Sequence, residues 1–262
     1  MRVSVVVTVR NEERNLQALL ESLVIQEPPL EVVIVDAYSE DRTMEIAGRF
    51  AKDYPFVRAL LHGGTRGVGR NFGAREAQGD TLAFTDGDCI ASPFWLKHLR
   101  EGLQDAEVVA GKTVQIGYRP FEDLERVELI YHGYDITYPS CNLAYRRDAF
   151  AALGGFDEWF ITAEDIDLNL RGVQREYRIA FADQAIVYHR TRGSAFDFLK
   201  QALWNGAGRK QLTLKHGQLW SSYRPLEMIR REHTAWSLAR LGAAMMGYVG
   251  YKAFGRARPG AR

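Results

Sequence analysis

Residues 3–8 read VSVVVT, residues 31–36 EVVIVD and residues 81–86 TLAFTD. Each is a short apolar run, rich in β-branched residues, of the kind that forms a central parallel strand buried on both faces. Between the first two, Leu16, Leu19, Leu20 and Leu23 recur at helical spacing within residues 11–25. A second helix is predicted through 43–52, a short strand over 56–61, a third helix over 67–78 and a fourth over 93–104. Strands alternating with helices in this way build right-handed βαβ units and a doubly wound, mostly parallel sheet between helices. In such α/β sheets ligands bind beyond the carboxyl ends of the strands. Three of those ends carry polar groups: Thr8 to Glu12, Asp36, and Asp86 to Asp88. They are expected to converge on one crevice.

Beyond Gly111 the pattern is less regular. It predicts a helix over 121–132, a hairpin region near 139–146, an acidic helix over 163–174 and short strands near 177–182 and 185–188. From Ser194 onward the chain reads as helix with aromatic and basic residues interleaved.

The 262 residues are 46% apolar and 26% charged, enough apolar surface for a sizeable core, which excludes a disordered or fibrous chain. Cys89 and Cys141 cannot make a disulfide scaffold and are expected as reduced thiols. The apolar start at Val3–Val9 is too short for a signal peptide. No uncharged run approaches the roughly 18 residues of a spanning helix. The longest, Leu241–Tyr251, is closed by Arg240 and Lys252.

A net charge of +1 conceals an asymmetry. From Ile186 to the end there are 14 Lys and Arg against 3 Asp and Glu, while the preceding part carries 20 against 30. A basic, aromatic tail of this kind suits the surface of an anionic membrane, lying on it rather than crossing it. No nucleic-acid motif accompanies the charge, and no nucleic-acid partner is expected.

Asp86-Gly87-Asp88 closes a buried strand. Two carboxylates crowded there repel each other and are costly to desolvate without a cation. A hard divalent ion, Mg²⁺ or Mn²⁺, with phosphate oxygens in its remaining positions answers that need. Asp36 is placed to accept hydrogen bonds from a base or a ribose, while Ser39, Asp41 and Thr43 read as helix-capping residues. Glu164-Asp165, with Asp167, opens a helix where the dipole favours acids, and it also suits a general base at the crevice rim. His189 follows a short strand and could ligate a metal.

Several of these pieces, taken in order, resemble family 2 glycosyltransferases of GT-A fold. They are VVVTVRNEERNL at 5–16, VIVDAYSEDRTMEIA at 33–47, GVGRNFGAREAQGD at 67–80, FTDGD at 84–88, CNLAYRRDAFAALGGFDE at 141–158 and AEDIDLNLR at 163–171, followed by His189. The resemblance covers roughly residues 1–192, which it implies to be a GT-A catalytic domain; residues 193–262 match only loosely and are expected, from their composition, as a helical basic segment at the membrane interface. The resemblance implies an inverting, metal-dependent transfer of a sugar from a nucleoside diphosphate sugar (UDP- or GDP-linked) to an acceptor hydroxyl. The basic, aromatic segment, lying on the cytoplasmic face of a membrane, would deliver a lipid-linked acceptor to the crevice. By position, Thr8, Arg10, Glu12 and Asp36 would hold base and ribose, and Arg70 would lie near the base or phosphates. Asp86 would touch ribose or sugar, Asp88 and His189 would bind the metal, and Asn142 and Arg146 would sit on the sugar or acceptor side. Asp165, paired with Glu164, would be the base. Two departures stand out. The second motif reads DAYSED where DxGSxD is common, and Gln201, Trp204 and Arg209 only echo the Gln-x-x-Arg-Trp motif of processive synthases.

Two rival readings meet obstacles in the residues. A sugar-nucleotide pyrophosphorylase needs a glycine-rich loop after the first strand, where Thr8-Val9-Arg10-Asn11-Glu12 has no glycine. A non-catalytic carbohydrate-binding protein has no need of both Asp88 and Asp165.

Overall fold

The computed structural model describes residues 1–118, 128–191, 193–217 and 234–255. Its centre is an eight-stranded sheet of β1 (Val3–Val9), β2 (Leu30–Asp36), β3 (Val57–Leu61), β4 (Thr81–Asp86), β5 (Cys89–Ala91), β6 (Val108–Ile116), β9 (Leu143–Arg146) and β10 (Ile179–Arg190). The order across the sheet is β3-β2-β1-β4-β9-β6-β10-β5. The first four strands are parallel, as their apolar runs predict. The other half is mixed: β9 runs antiparallel to both β4 and β6, β6 and β10 are parallel, and β5 is an antiparallel edge on β10.

Alternation along each strand divides the core. Val5 and Val7 face one side, with α1 (Leu16–Val24), α2 (Thr43–Asp53) and α4 (Trp95–Gly102). Val6, Val33 and Phe84 face the other, with α3 (Arg66–Glu76), α5 (Arg147–Ala152) and α6 (Glu164–Gln174). Helix α3 lies close on β1 because it presents glycines there. A Cβ at Gly73 would stand 2.5 Å from Val6 Cγ1, and one at Gly69 would stand 3.0 Å from Thr8 Cγ2.

Of the helix predicted over 121–132, residues 121–127 lie outside the described residues. The remainder is not helical: β7 (Ile130–Tyr131) pairs with β8 (Tyr134–Asp135) in a tight hairpin through Gly133 at φ 84°. The two strands predicted near 177–188 are one strand, β10, with a register irregularity between Ala182 and Ile186.

Two long helices close the chain, α7 (Ala195–His216) and α8 (Ala235–Phe254). Leu212 of α7 enters the core on the α6 side. Lys215 Nζ and His216 Nε2 lie 2.5 and 2.7 Å from Asp167 Oδ1, and Arg171 Nε lies 2.8 Å from Asp167 Oδ2. Burial works against the Asp167 charge, but these partners outweigh it and hold the carboxyl down to about 2. The acid that the sequence placed with the catalytic pair therefore serves as the anchor of α7. Helix α8 lies against α7 with backbone almost touching backbone, Gly206 on Ala244 and Gly247 on Leu203.

Candidate active site

Register brings the polar strand ends together. Thr8 is paired with Asp86 on one side, and Val9 with Asp36 on the other. The β1 and β2 loops are then stitched to each other. Asn11 N donates to Ser39 Oγ (2.8 Å), Glu12 N to Thr43 Oγ1 (2.7 Å) and Glu40 N to Asn11 Oδ1 (2.9 Å). Ser39 and Thr43, expected as helix caps, thus serve to join two loops, while Asp41 accepts from the Thr43 amide and hydroxyl. Asp36 is fully buried. Its Oδ1 accepts from Ser39 N at 2.6 Å, and its Oδ2 has no partner among the described residues. A buried carboxylate oxygen left open at a strand end is an acceptor awaiting a donor. Glu12 abuts the third loop, where a Cβ on Gly87 would stand 3.0 Å from Glu12 Cγ. Arg10 is exposed beside it.

Arg70 is the hub between Asp86, at the end of β4, and Glu164, at the start of α6. Its guanidinium, 1% exposed, donates to Asp86 Oδ1 and to Glu164 Oε1, both at 2.6 Å, and stands over the Phe156 ring. Burial opposes the Asp86 charge, yet Arg70, with Arg66 and His189 behind it, holds that carboxyl at about 2. Glu164 shifts the other way: burial, aided by the charge of Asp165, pushes it up against the pull of Arg70. Neighbouring acids with opposed shifts are a pattern of sites that move protons. The sequence reading put Arg70 near base or phosphates, whereas here both hydrogen-bonding ends of its fork are occupied by protein carboxylates.

Asp88 and His189 meet across the β5–β10 pairing, with His189 Nε2 3.5 Å from Asp88 Oδ1. Ligand atoms of Asp88, Cys89 and His189 lie within 4.8 Å of one another. The Cys89 thiol is buried beside Cys141, which pushes it up. A hard divalent ion takes the carboxylate of Asp88 and the imidazole of His189 in preference to a soft sulfur. Gln115 Oε1 lies 3.0 Å from His189 Nδ1, which orients the ring so that Nε2 points at Asp88. An oxygen-and-imidazole set of this kind fits Mn²⁺ or Mg²⁺.

Asp165 is half-buried at the start of α6. Its Oδ2 accepts from Ser140 N (3.1 Å) and its Oδ1 from Ile166 N (2.9 Å). Helix α7 braces the loop that leads into this pair. The buried Gln211 side chain accepts from Ile161 N (2.9 Å) and donates to Trp159 O (2.7 Å), and Gly208 is packed directly on Thr162. The loop ends at Ala163 in the left-handed region, φ 67°, and Glu164 follows.

Two candidates lie elsewhere than the resemblance implied. Arg146 is paired with Thr81, at the amino end of β4, about 16 Å of strand from Asp86. It spends its guanidinium on Leu103 O and Gln104 O. Asn142 is at the correct end of the sheet but wholly buried: its Oδ1 accepts from Trp95 Nε1, and its Nδ2 donates to Lys112 O and Ala185 O. Its amide braces β6 against β10 and has no N–H left for a sugar. Conversely, Arg66 was missed. It is exposed at the first position of α3, where a cation opposes the helix dipole, and its charge acts on both Asp86 and Glu164. That placement was the available signal.

The chain is similar to known proteins over most of its length. Residues 4–154 match the family described as Glycosyl transferase family 2. The glycosyltransferase AglE of Haloferax volcanii is 29% identical over 226 residues, 80% of this chain and 73% of that protein. Two further curated relatives are longer, and the chain spans 50% and 53% of them. The mannosyltransferase PcManGT of Pyrobaculum calidifontis, solved with GDP-Man and Mn²⁺, superposes with a TM-score of 0.64 at 23% identity over 97% of this chain and 76% of that one. Residues 1–349 of TarS from S. aureus, solved with UDP, superpose at 0.63 and 21% identity over 95% and 80%. These neighbours share the GT-A fold.

Proposed function

Because the chain belongs to glycosyl transferase family 2, we propose that it transfers a sugar, with inversion, from a UDP- or GDP-sugar to an acceptor hydroxyl. The observation that carries this reading is the Asp86–Arg70–Glu164 bridge. It locks the donor-side acids to the general-base pair at one end of the sheet. Asp36, Thr8, Arg10 and Glu12 line the nucleoside side, and Arg66 faces the diphosphate. Asp165 takes the proton from the acceptor hydroxyl as it attacks the anomeric carbon from the face opposite the leaving group. Glu164, on Arg70, fixes the start of α6 and so the aim of Asp165. Asp88 and His189 would hold a divalent ion, which when bound offsets the charge developing on the departing nucleoside diphosphate.

The test is release of nucleoside diphosphate from UDP-GlcNAc and GDP-mannose with Mn²⁺ present. Asp88→Ala is expected to abolish release with little change in unfolding temperature, since the residue sits at a strand end and not in the apolar core. Full turnover in excess EDTA would overturn the metal assignment.

The α7–α8 hairpin supports peripheral membrane binding and, with it, a lipid-linked acceptor at the cytoplasmic face. Among the described residues no helix is long and apolar enough to cross a membrane. Yet Leu238, Met245, Met246 and Val249 recur on one face of α8 and are 53–64% exposed, with the exposed Lys252 on the same face, one turn beyond Val249. Apolar side chains beside cations suit an anionic interface. The protein is expected to float with anionic liposomes at low salt and not with neutral ones, and M245S/M246S/V249S is expected to stay behind. Indifference of the unmodified protein to anionic liposomes would refute the membrane reading.

A further inference from the structure

At the end of β2 the chain turns through Ala37, Tyr38 and Ser39, and Tyr38 sits at φ 55°, in the left-handed region. Asn11, in the loop stitched to this one, has the same φ, but asparagine tolerates that conformation and a bulky aromatic residue does not. In the DxGSxD pattern glycine stands here. The turn is therefore kept although the residue that makes it easily is absent. Both neighbours hold the backbone in place: Ala37 N donates to Val9 O, and Ser39 is bonded to Asp36 Oδ1 and to Asn11 N.

Core packing does not account for the side chain. Tyr38 is 61% exposed. The edge of its ring lies against Gly63, in the loop after β3, where an added Cβ would come within 3.0 Å of Tyr38 Cε2. The loop after β3 is in turn pinned by His62 N donating to Asp36 O at 3.0 Å. The ring thus stands at the rim of the crevice between the β2 and β3 loops, two residues beyond Asp36 and its open carboxylate oxygen. A strained backbone that presents an exposed aromatic ring beside an unsatisfied acceptor is the sort of outlier that ligand sites retain.

We propose that Tyr38 is the stacking face for the donor's nucleobase, so that Asp36 accepts hydrogen bonds from the nucleoside while the Tyr38 ring covers the base. This assignment rests on the nucleotide-sugar reading and deepens it. Stacking on a single aromatic ring is indifferent to the identity of the base and stronger for a larger ring system. The ring therefore contributes affinity to any nucleoside diphosphate, and most to a purine.

The test measures binding of UDP, GDP and dTDP with Mn²⁺ by calorimetry, beside thermal unfolding of the free protein. Tyr38→Gly and Tyr38→Asn both suit the left-handed turn and both remove the ring. Each is expected to weaken binding of the preferred nucleotide on the order of tenfold, the usual effect of losing one base–aromatic stack. Neither should lower the unfolding temperature, because the strain is relieved. Tyr38→Phe keeps the ring and is expected to bind as the unmodified protein does. If the glycine and asparagine variants bind as tightly as the unmodified protein, the stacking assignment is overturned while the nucleotide-sugar reading stands. The same holds if Tyr38→Phe loses as much affinity as they do. If the unmodified protein binds none of the three nucleotides, the underlying reading fails and the assignment falls with it.

Discussion

Asp165→Asn is expected to bind donor as the unmodified protein does and to lose roughly 10²–10⁴ in turnover, the usual consequence of removing a general base. The amide has nearly the same shape, so the loop geometry should hold. It cannot reproduce the carboxylate fully, because Oδ1 and Oδ2 each accept from a backbone N–H, of Ile166 and Ser140. One of those donors would face an amide N–H₂ instead. Replacing such a helix-start acceptor typically costs ~1 kcal/mol, a modest drop in unfolding temperature that leaves the binding comparison interpretable. The companion Glu164→Gln should be less severe in turnover and should disturb Arg70. Normal turnover in Asp165→Asn with none in Glu164→Gln would exchange the two roles.

Arg70→Met is expected to be the most destabilising single change at the site, by about 3–5 kcal/mol, since it leaves buried carboxylates without their counter-charge. The methionine matches the stem and removes the fork that reaches Asp86 and Glu164, whose side chains are 20% and 7% exposed. The pH dependence has a definite sign. Arg70 depresses Asp86 from an ordinary 3.8 to about 2, so this part of the stability is complete above 3.8 and is lost as pH falls toward 2. Urea unfolding of the two proteins should differ most near neutrality and converge as pH falls through that window. An Arg70→Met protein as stable as the original at pH 7 would mean that the bridge is dispensable.

The parallel half of the sheet was legible because β1, β2 and β4 are buried on both faces, and such strands must be written as continuous apolar runs. The opposite half was not. β5 has three residues and β9 four, too few to show a period, and nothing local to Leu143–Arg146 records that it runs antiparallel between β4 and β6. That reversal is why Arg146, only a few residues from Asn142 in the chain, ends beside Thr81, at the opposite end of β4 from Asp86.

The same division holds at the site. Residue chemistry and order single out Asp36, Asp86, Asp88, Glu164-Asp165 and His189 as candidates, because polar groups at strand ends and helix starts are readable one element at a time. Their mutual arrangement depends on contacts between distant parts of the chain. Arg70 reaches Asp86 and Glu164 only because Gly69 and Gly73 let α3 settle onto β1. The loop before Glu164 is held by Gln211, some fifty residues later, in a segment whose composition spoke only of charge and aromatics. The sequence alone determined which groups could do the chemistry, since that depends on side-chain type and strand position. Only tertiary packing decided which of them face each other, since burial and charge pairing are properties of neighbours in space.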